Sequence, residues 1–292
     1  MTTHNPVQQL REIFEGPVMR PVLEHWRRKH FVSEEGLASC YGLFESFAEA
    51  RASLPPSLAF DHAALAAEYV EVRTKRIFAY DYPVMWWLER AIRHGAARVL
   101  DIGGSVGVHY YAYRRYFEMP PELTWRIVEV PAIASIGREM ALRTDARALS
   151  FVEDLESALS GADIWISAGA IQYFEDGRPS DLLKRCATRP KHILLNKLPL
   201  YAGQDFITTQ NLGEGSFSPF HVYNRAAFIG DMTALGYTLG DEWAVHERSL
   251  YLPGHPDRSF PTFTGLYFTN DIWRPAQSSR RACRTSAGSS RS

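Results

Sequence analysis

From Arg98 onward, short apolar runs alternate with stretches of helical periodicity, and few folds accommodate such a pattern. The runs cover residues 99–102, 125–130, 148–152, 163–167 and 192–195, with candidate helices over 108–117, 133–143, 155–159 and 178–187 between them. Repeated strand–helix units predict a parallel sheet with helices on both faces, because each crossover must return along the outside of the sheet. Further on, 224–235 reads as a helix stopped by Gly236, followed by strands over 237–243 and 263–268. Their short connection makes these two strands an antiparallel pair at the sheet edge. The expected fold is therefore α/β and Rossmann-like.

Residues 1–95 read as helical, interrupted at Pro55 and Pro56, with Tyr82-Pro83 opening a further helix. This predicts a helical N-terminal cap over 1–95 and a ligand-binding domain over 96–276. Residues 277–292 are rich in Ser and Arg and nearly devoid of apolar groups, so a disordered tail is expected there. The 292 residues carry a formal net charge of -1, which provides no broad attraction for nucleic acid or anionic lipid. Three dispersed cysteines and the absence of a paired histidine motif argue against a metal site. The first ten residues are polar, and no apolar run reaches the roughly 20 residues of a spanning helix. A cytoplasmic protein is expected, with a small-molecule substrate, no nucleic-acid or membrane partner, and a homodimer left open.

The local signature is Val99-Leu100-Asp101-Ile102-Gly103-Gly104-Ser105-Val106-Gly107. A buried strand ends in an acid, and a glycine-rich turn opens the next helix, where backbone must approach a ligand closely. A dinucleotide fingerprint fails in either frame, since Ser105 and Val106 stand where the second glycine is needed. No Gly-Lys-Ser/Thr follows, which removes a P-loop. Asp101 would repel a pyrophosphate but suits a ligand with an ammonium group. S-adenosylmethionine has such an end and no phosphate, so it is the expected cofactor. Glu129 closes the next strand, where a carboxylate can accept ribose hydroxyls. After the third strand Asp154 is placed either to read an adenine amino group or to cap the following helix. Ala168 and its small neighbours follow the fourth strand, where a cofactor passes close.

These residues resemble a class I S-adenosylmethionine-dependent methyltransferase. More narrowly, they are similar to a bacterial methyltransferase family whose motif runs roughly V-L-D-F-G-G-S-L-G. The likeness spans about 76–243 and includes Tyr82-Pro83, residues 125–129 and residues 168–173. It implies a seven-stranded sheet under a helical N-terminal cap. By position, Asp101, Gly103, Gly104, Ser105 and Gly107 would form the methionine side of the cofactor site and Glu129 would hold the ribose. Where that family runs from its fifth strand into an Asp-Arg-Thr-Pro-like segment, this chain has Asn196-Lys197-Leu198-Pro199. Losing an acid and exchanging guanidinium for ammonium changes what an acceptor pocket can hold.

Methyl transfer to a small molecule, at oxygen or nitrogen, is thus the expected reaction. Its main demands are alignment of the acceptor and exclusion of water, with a base where the acceptor carries a proton. The catalytic candidates are His221 and Tyr173, and His109 is a weaker base candidate. Gln172, Asn196, Lys197 and Gln210 are candidates for holding the acceptor. Arg73 and Lys75 would meet a carboxylate or form a solvated helix face. The long segment 198–223, with its glycines and aromatic residues, is expected to close over the acceptor as a lid. The competing readings are a nicotinamide-dependent oxidoreductase and a non-catalytic protein that keeps the cofactor fold.

Overall fold

The computed structural model describes residues 20–57, 59–63 and 66–270. Helix α1 (Arg20–Phe31), strand β1 (Cys40–Phe44) and helices α2 (Phe47–Ser53) and α3 (Asp81–Arg93) precede the glycine-rich turn. Next come β2 (Arg98–Ile102), α4 (Val108–Tyr113), β3 (Thr124–Val128), α5 (Pro131–Arg143) and β4 (Leu149–Val152). These lead to α6 (Leu155–Ala158), β5 (Ile164–Ala168), α7 (Pro179–Arg185) and β6 (His192–Leu198). Strands β7 (Leu200–Tyr201), β8 (Phe206–Gly213) and β9 (Ser216–Asn224), helix α8 (Arg225–Ala234), and strands β10 (Thr238–Val245) and β11 (Phe263–Thr269) follow.

Seven strands form the main sheet in the order β10-β11-β6-β5-β2-β3-β4. Strands β2 to β6 run parallel, and β11 lies antiparallel to both β6 and β10. The late antiparallel pair is therefore at the edge, as the sequence predicts, with β11 on its inner side. Helix starts follow local chemistry: Pro131 and Pro179 occupy first turns, where the missing N–H costs nothing. Asn224 caps α8 by accepting from the Ala227 amide.

Side-chain alternation builds a core on each face of the sheet. Val99, Ile127, Ile164 and Ile166 pack with Leu88, Tyr110 and Tyr113 on one side. Leu100, Ile102, Val128, Trp165 and Leu195 pack with Leu182 and Phe228 on the other. Asp101, two residues beyond Val99, falls on the first face and is completely buried there.

Two expectations are corrected. The 1–95 segment is not wholly helical, because β1 lies within it and pairs with β8. Residues 198–223 are not an irregular loop: β8 and β9 form a hairpin in a second, four-stranded sheet of order β1-β8-β9-β7. The hairpin turn carries positive φ at Glu214 and Gly215, as a two-residue turn matched to strand twist requires. The tail at 277–292 lies outside the described residues.

Candidate functional site

The sheet order reverses at β2, which has β3 on one side and β5 on the other. In open α/β sheets the crevice beyond such a switch point receives ligands. The glycine turn sits there. The Gly103 amide donates to the Val128 carbonyl at 2.9 Å, which ties the turn to β3. Gly103 has φ +70°, and a Cβ on it would stand 2.2 Å from the Ala170 Cβ. A Cβ on Gly104 would lie 2.5 Å from Asp101 Cγ and Oδ2. Both glycines are thus required by close approach: one to the loop after β5, the other to the buried acid.

Asp101 is held from beneath the turn rather than facing open solvent. Its Oδ2 accepts from the Trp125 indole N–H at 3.2 Å and lies 2.8 Å from His109 Nδ1. His109 is itself buried, and this pairing makes it a support for Asp101. Asp101 Oδ1, Ser105 Oγ and Gln172 Oε1 are buried and have no hydrogen-bond partner among the described residues. Buried polar atoms are nearly always satisfied, so three such atoms on the glycine turn and the adjacent loop after β5 point to a polar ligand.

Glu129 lies just past β3. Its Oε2 accepts from the Ser105 amide and its Oε1 from the Val130 amide, both at 2.9 Å. Each oxygen keeps a second lone pair, which a ribose hydroxyl can use. Burial raises its pKa above the usual carboxylate range, with the two amides opposing that rise. Asp154 takes the capping role, accepting from the Glu156 and Ser157 amides at the start of α6. The Ser157 hydrogen bonds hold its pKa low. Ala168 ends β5 in register with Asn196 on β6.

In the loop after β5, Gln172 is 2% exposed and Tyr173 donates to Gln210 Oε1. Burial pushes the Tyr173 phenol well up, which keeps it protonated. Tyr173 also packs on Phe220, and Gln210, Ser218 and Phe220 share one face of the hairpin by register. His221 points to the opposite face, against Phe47, with Nε2 2.9 Å from the Glu175 carbonyl oxygen. The sheet therefore separates the two catalytic candidates. His221 instead lines an open, charged groove of about 610 Å³ with Glu175, Arg178, Asp205 and Arg258. Burial lowers its pKa. Asn196 is committed to structure: its Nδ2 donates to the Tyr80 carbonyl and its Oδ1 accepts from the Lys197 amide and the Trp243 indole.

The segment before α3 covers this edge. Asp61 Oδ1 accepts from the Ala132 amide at the start of α5, and Ala66 and Val70 pack on Val106, Val108 and Ile133. Arg73 is buried, donates to the Tyr80 hydroxyl at 2.6 Å and lies 4.2 Å from the Phe78 ring centre. Lys75 pairs with Glu71 on an exposed helical face instead. Neither Tyr80 nor Asp61 is marked by a local motif in the sequence, so their places beside the turn come from the fold alone. Among the described residues no group of His, Cys, Asp or Glu could hold a metal ion, and no helix is long and apolar enough to cross a membrane.

No protein-family model matches the chain, and no curated protein matches it. Among solved structures it is similar to 1,6-didemethyltoxoflavin-N1-methyltransferase from Burkholderia thailandensis with bound 1,6-didemethyltoxoflavin and S-adenosylhomocysteine. That chain is 17% identical, with 75% of this chain and 93% of the other aligned at a TM-score of 0.44. It is also similar to magnesium protoporphyrin IX methyltransferase from Synechocystis PCC 6803 with bound S-adenosylmethionine. There the identity is 11%, over 93% of this chain and 100% of the other, at a TM-score of 0.44. At these values the assignment of the fold rests on its own strand order: a Rossmann-like, mostly parallel seven-stranded sheet with helices on both faces.

Proposed function

We propose that this chain is an S-adenosylmethionine-dependent methyltransferase acting on a small molecule at oxygen or nitrogen. The observation that carries the reading is the glycine turn at the switch point, with Asp101 beneath it, Glu129 beside it and three unpartnered buried polar atoms around it. Gly103, Gly104, Ser105 and Gly107 would hold the methionine end, with Asp101 Oδ1 supplying negative charge toward its ammonium. Glu129 would accept the ribose hydroxyls. Bound there, the cofactor supplies a methyl group already activated by a positive sulfur. Gln172, Tyr173, Gln210 and Lys197 would surround the acceptor, and the segment before α3 would exclude water.

Calorimetry on the purified protein tests this reading: S-adenosylhomocysteine is expected to bind and NAD is not. Heat with NAD and none with S-adenosylhomocysteine would favour the oxidoreductase instead. Glu129→Ala should weaken S-adenosylhomocysteine binding by roughly 1–3 kcal/mol, because buried ribose donors lose their acceptor. Its raised pKa adds a pH signature. Affinity should fall on acidification from a higher pH than an ordinary glutamate would give, and Glu129→Gln should flatten that dependence. Affinity unchanged in a folded Glu129→Ala protein removes the ribose assignment.

A further inference from the structure

We propose that Lys197 is the general base of this site, taking the proton that an acceptor hydroxyl or amine releases as it is methylated. The proposal rests on the methyl-transfer reading above. Parallel register sets Asn196 beside Ala168, so Lys197 stands one residue beyond the end of β5, level with the loop that packs on Gly103. Its stem passes Gly169, where a Cβ would come within 3.1 Å of Lys197 Cε. Asn196 fixes the approach by accepting from the Lys197 amide. The backbone at Lys197 is held at φ +56°, a conformation that a lysine rarely adopts and that directs its side chain to this place.

A lysine kept here for stability would have a carboxylate partner. Among the described residues Nζ forms neither an ion pair nor a hydrogen bond, and its neighbour is the Tyr80 ring, 5.3 Å away. The charged groups around it are Arg73 and Arg248, which oppose its protonation, and Asp81 and Asp101, which favour it. Both acids have other partners: Asp81 accepts from the Phe78 amide and the Tyr113 hydroxyl, and Asp101 is held by Trp125 and His109. Desolvation therefore dominates and brings the amine down to about 7. Protein atoms crowd the side chain, while the residue as a whole keeps part of its surface accessible.

The chemistry balances around a neutral amine. The acceptor heteroatom forms a bond to the methyl carbon, the sulfur–carbon bond breaks with its electron pair left on sulfur, and the acceptor proton moves to Nζ. One positive charge is lost at sulfur as one appears on Lys197, so the net charge of the pocket does not change. A cation at the sulfur position also disfavours the ammonium before transfer and ceases to do so afterwards. The base is therefore free when substrate is bound and retains its proton once the product has formed.

The test is an NMR titration of the full chain labelled with 13C at lysine Cε, alone, with S-adenosylhomocysteine and with S-adenosylmethionine. The Lys197 resonance is assigned by its disappearance in Lys197→Met and, independently, in Lys197→Arg. Its midpoint should lie about two or more pH units below that of surface lysines, and the cationic cofactor should lower it about one unit further than the neutral product does. Binding of S-adenosylhomocysteine with an ordinary lysine midpoint, or with the same midpoint under both ligands, overturns the base assignment alone. Calorimetric silence toward both ligands overturns the methyl-transfer reading and the proposal with it.

Discussion

Gly103→Ala should cost roughly 2–4 kcal/mol of folding stability and abolish measurable S-adenosylhomocysteine binding. Two terms act together. An L-residue at φ +70° is strained by about 1–2 kcal/mol, and its Cβ would lie 2.2 Å from the Ala170 Cβ. Ala170 cannot retreat easily. The Ser167 hydroxyl donates to the Ile102 carbonyl and accepts from the Ile171 amide, which ties the loop after β5 to the end of β2. Relief must come from pushing the turn and the Gln172 loop apart, at the place where the cofactor would sit. Gly230 in α8 is the control, because a Cβ there meets nothing within 4 Å and its φ is not positive. Gly230→Ala should gain about 0.5–1 kcal/mol and leave ligand binding alone. Urea unfolding and calorimetry on both variants read the contrast. Gly103→Ala binding within threefold of the parent means that the turn does not line the cofactor site.

What the sequence made legible is what local chemistry dictates. The strand–acid–glycine–helix unit is contiguous, so its turn, its helix start and its neighbouring strand all follow from residues 99–108. The five parallel strands were legible because burial on both faces gives near-continuous apolar runs. Strand β1 was not, since Cys40–Phe44 is short, contains a glycine and gains its partners only about 170 residues further along the chain. The β8–β9 hairpin escaped because its turn is Glu214-Gly215 rather than the Asn-Gly or Asp-Gly that would announce it. Missing the hairpin also decided the reading of His221. A loop histidine can turn toward the acceptor, whereas one on β9 has its direction fixed by register, and that direction is away from Tyr173. Asp154 has two readings in the sequence, and in the structure it makes the capping hydrogen bonds to the amides of Glu156 and Ser157. The surroundings of Lys197 include Gly169, the Tyr80 ring and the charges of Arg73, Asp81, Asp101 and Arg248, none of them adjacent to it in sequence.

Lys197→Met should make the protein more stable, by roughly 2–4 kcal/mol at pH 6, with the gain shrinking toward zero near pH 10. The folded-state pKa of about 7 lies below the unfolded value, so between the two the unfolded chain binds more protons than the folded one. Stability linked to this group therefore rises with pH across that window. The penalty of a desolvated ammonium is fully present below pH 7 and disappears above the unfolded pKa of about 10.4. The full difference would correspond to nearly 5 kcal/mol at 1.36 kcal/mol per unit, and the accessible part of the residue reduces it. Methionine suits the comparison because it keeps an unbranched apolar stem along Gly169 and retains the same φ strain. Urea unfolding of parent and variant at several pH values gives the difference directly, with contributions from all other groups cancelling. A gain that does not vary with pH would mean that Lys197 is not a desolvated, titrating amine, and would remove its claim to act as a base. A gain that varies as described, with S-adenosylhomocysteine still bound, would show a charge-bearing residue held at the acceptor cleft at a cost to stability. Activity commonly requires such residues.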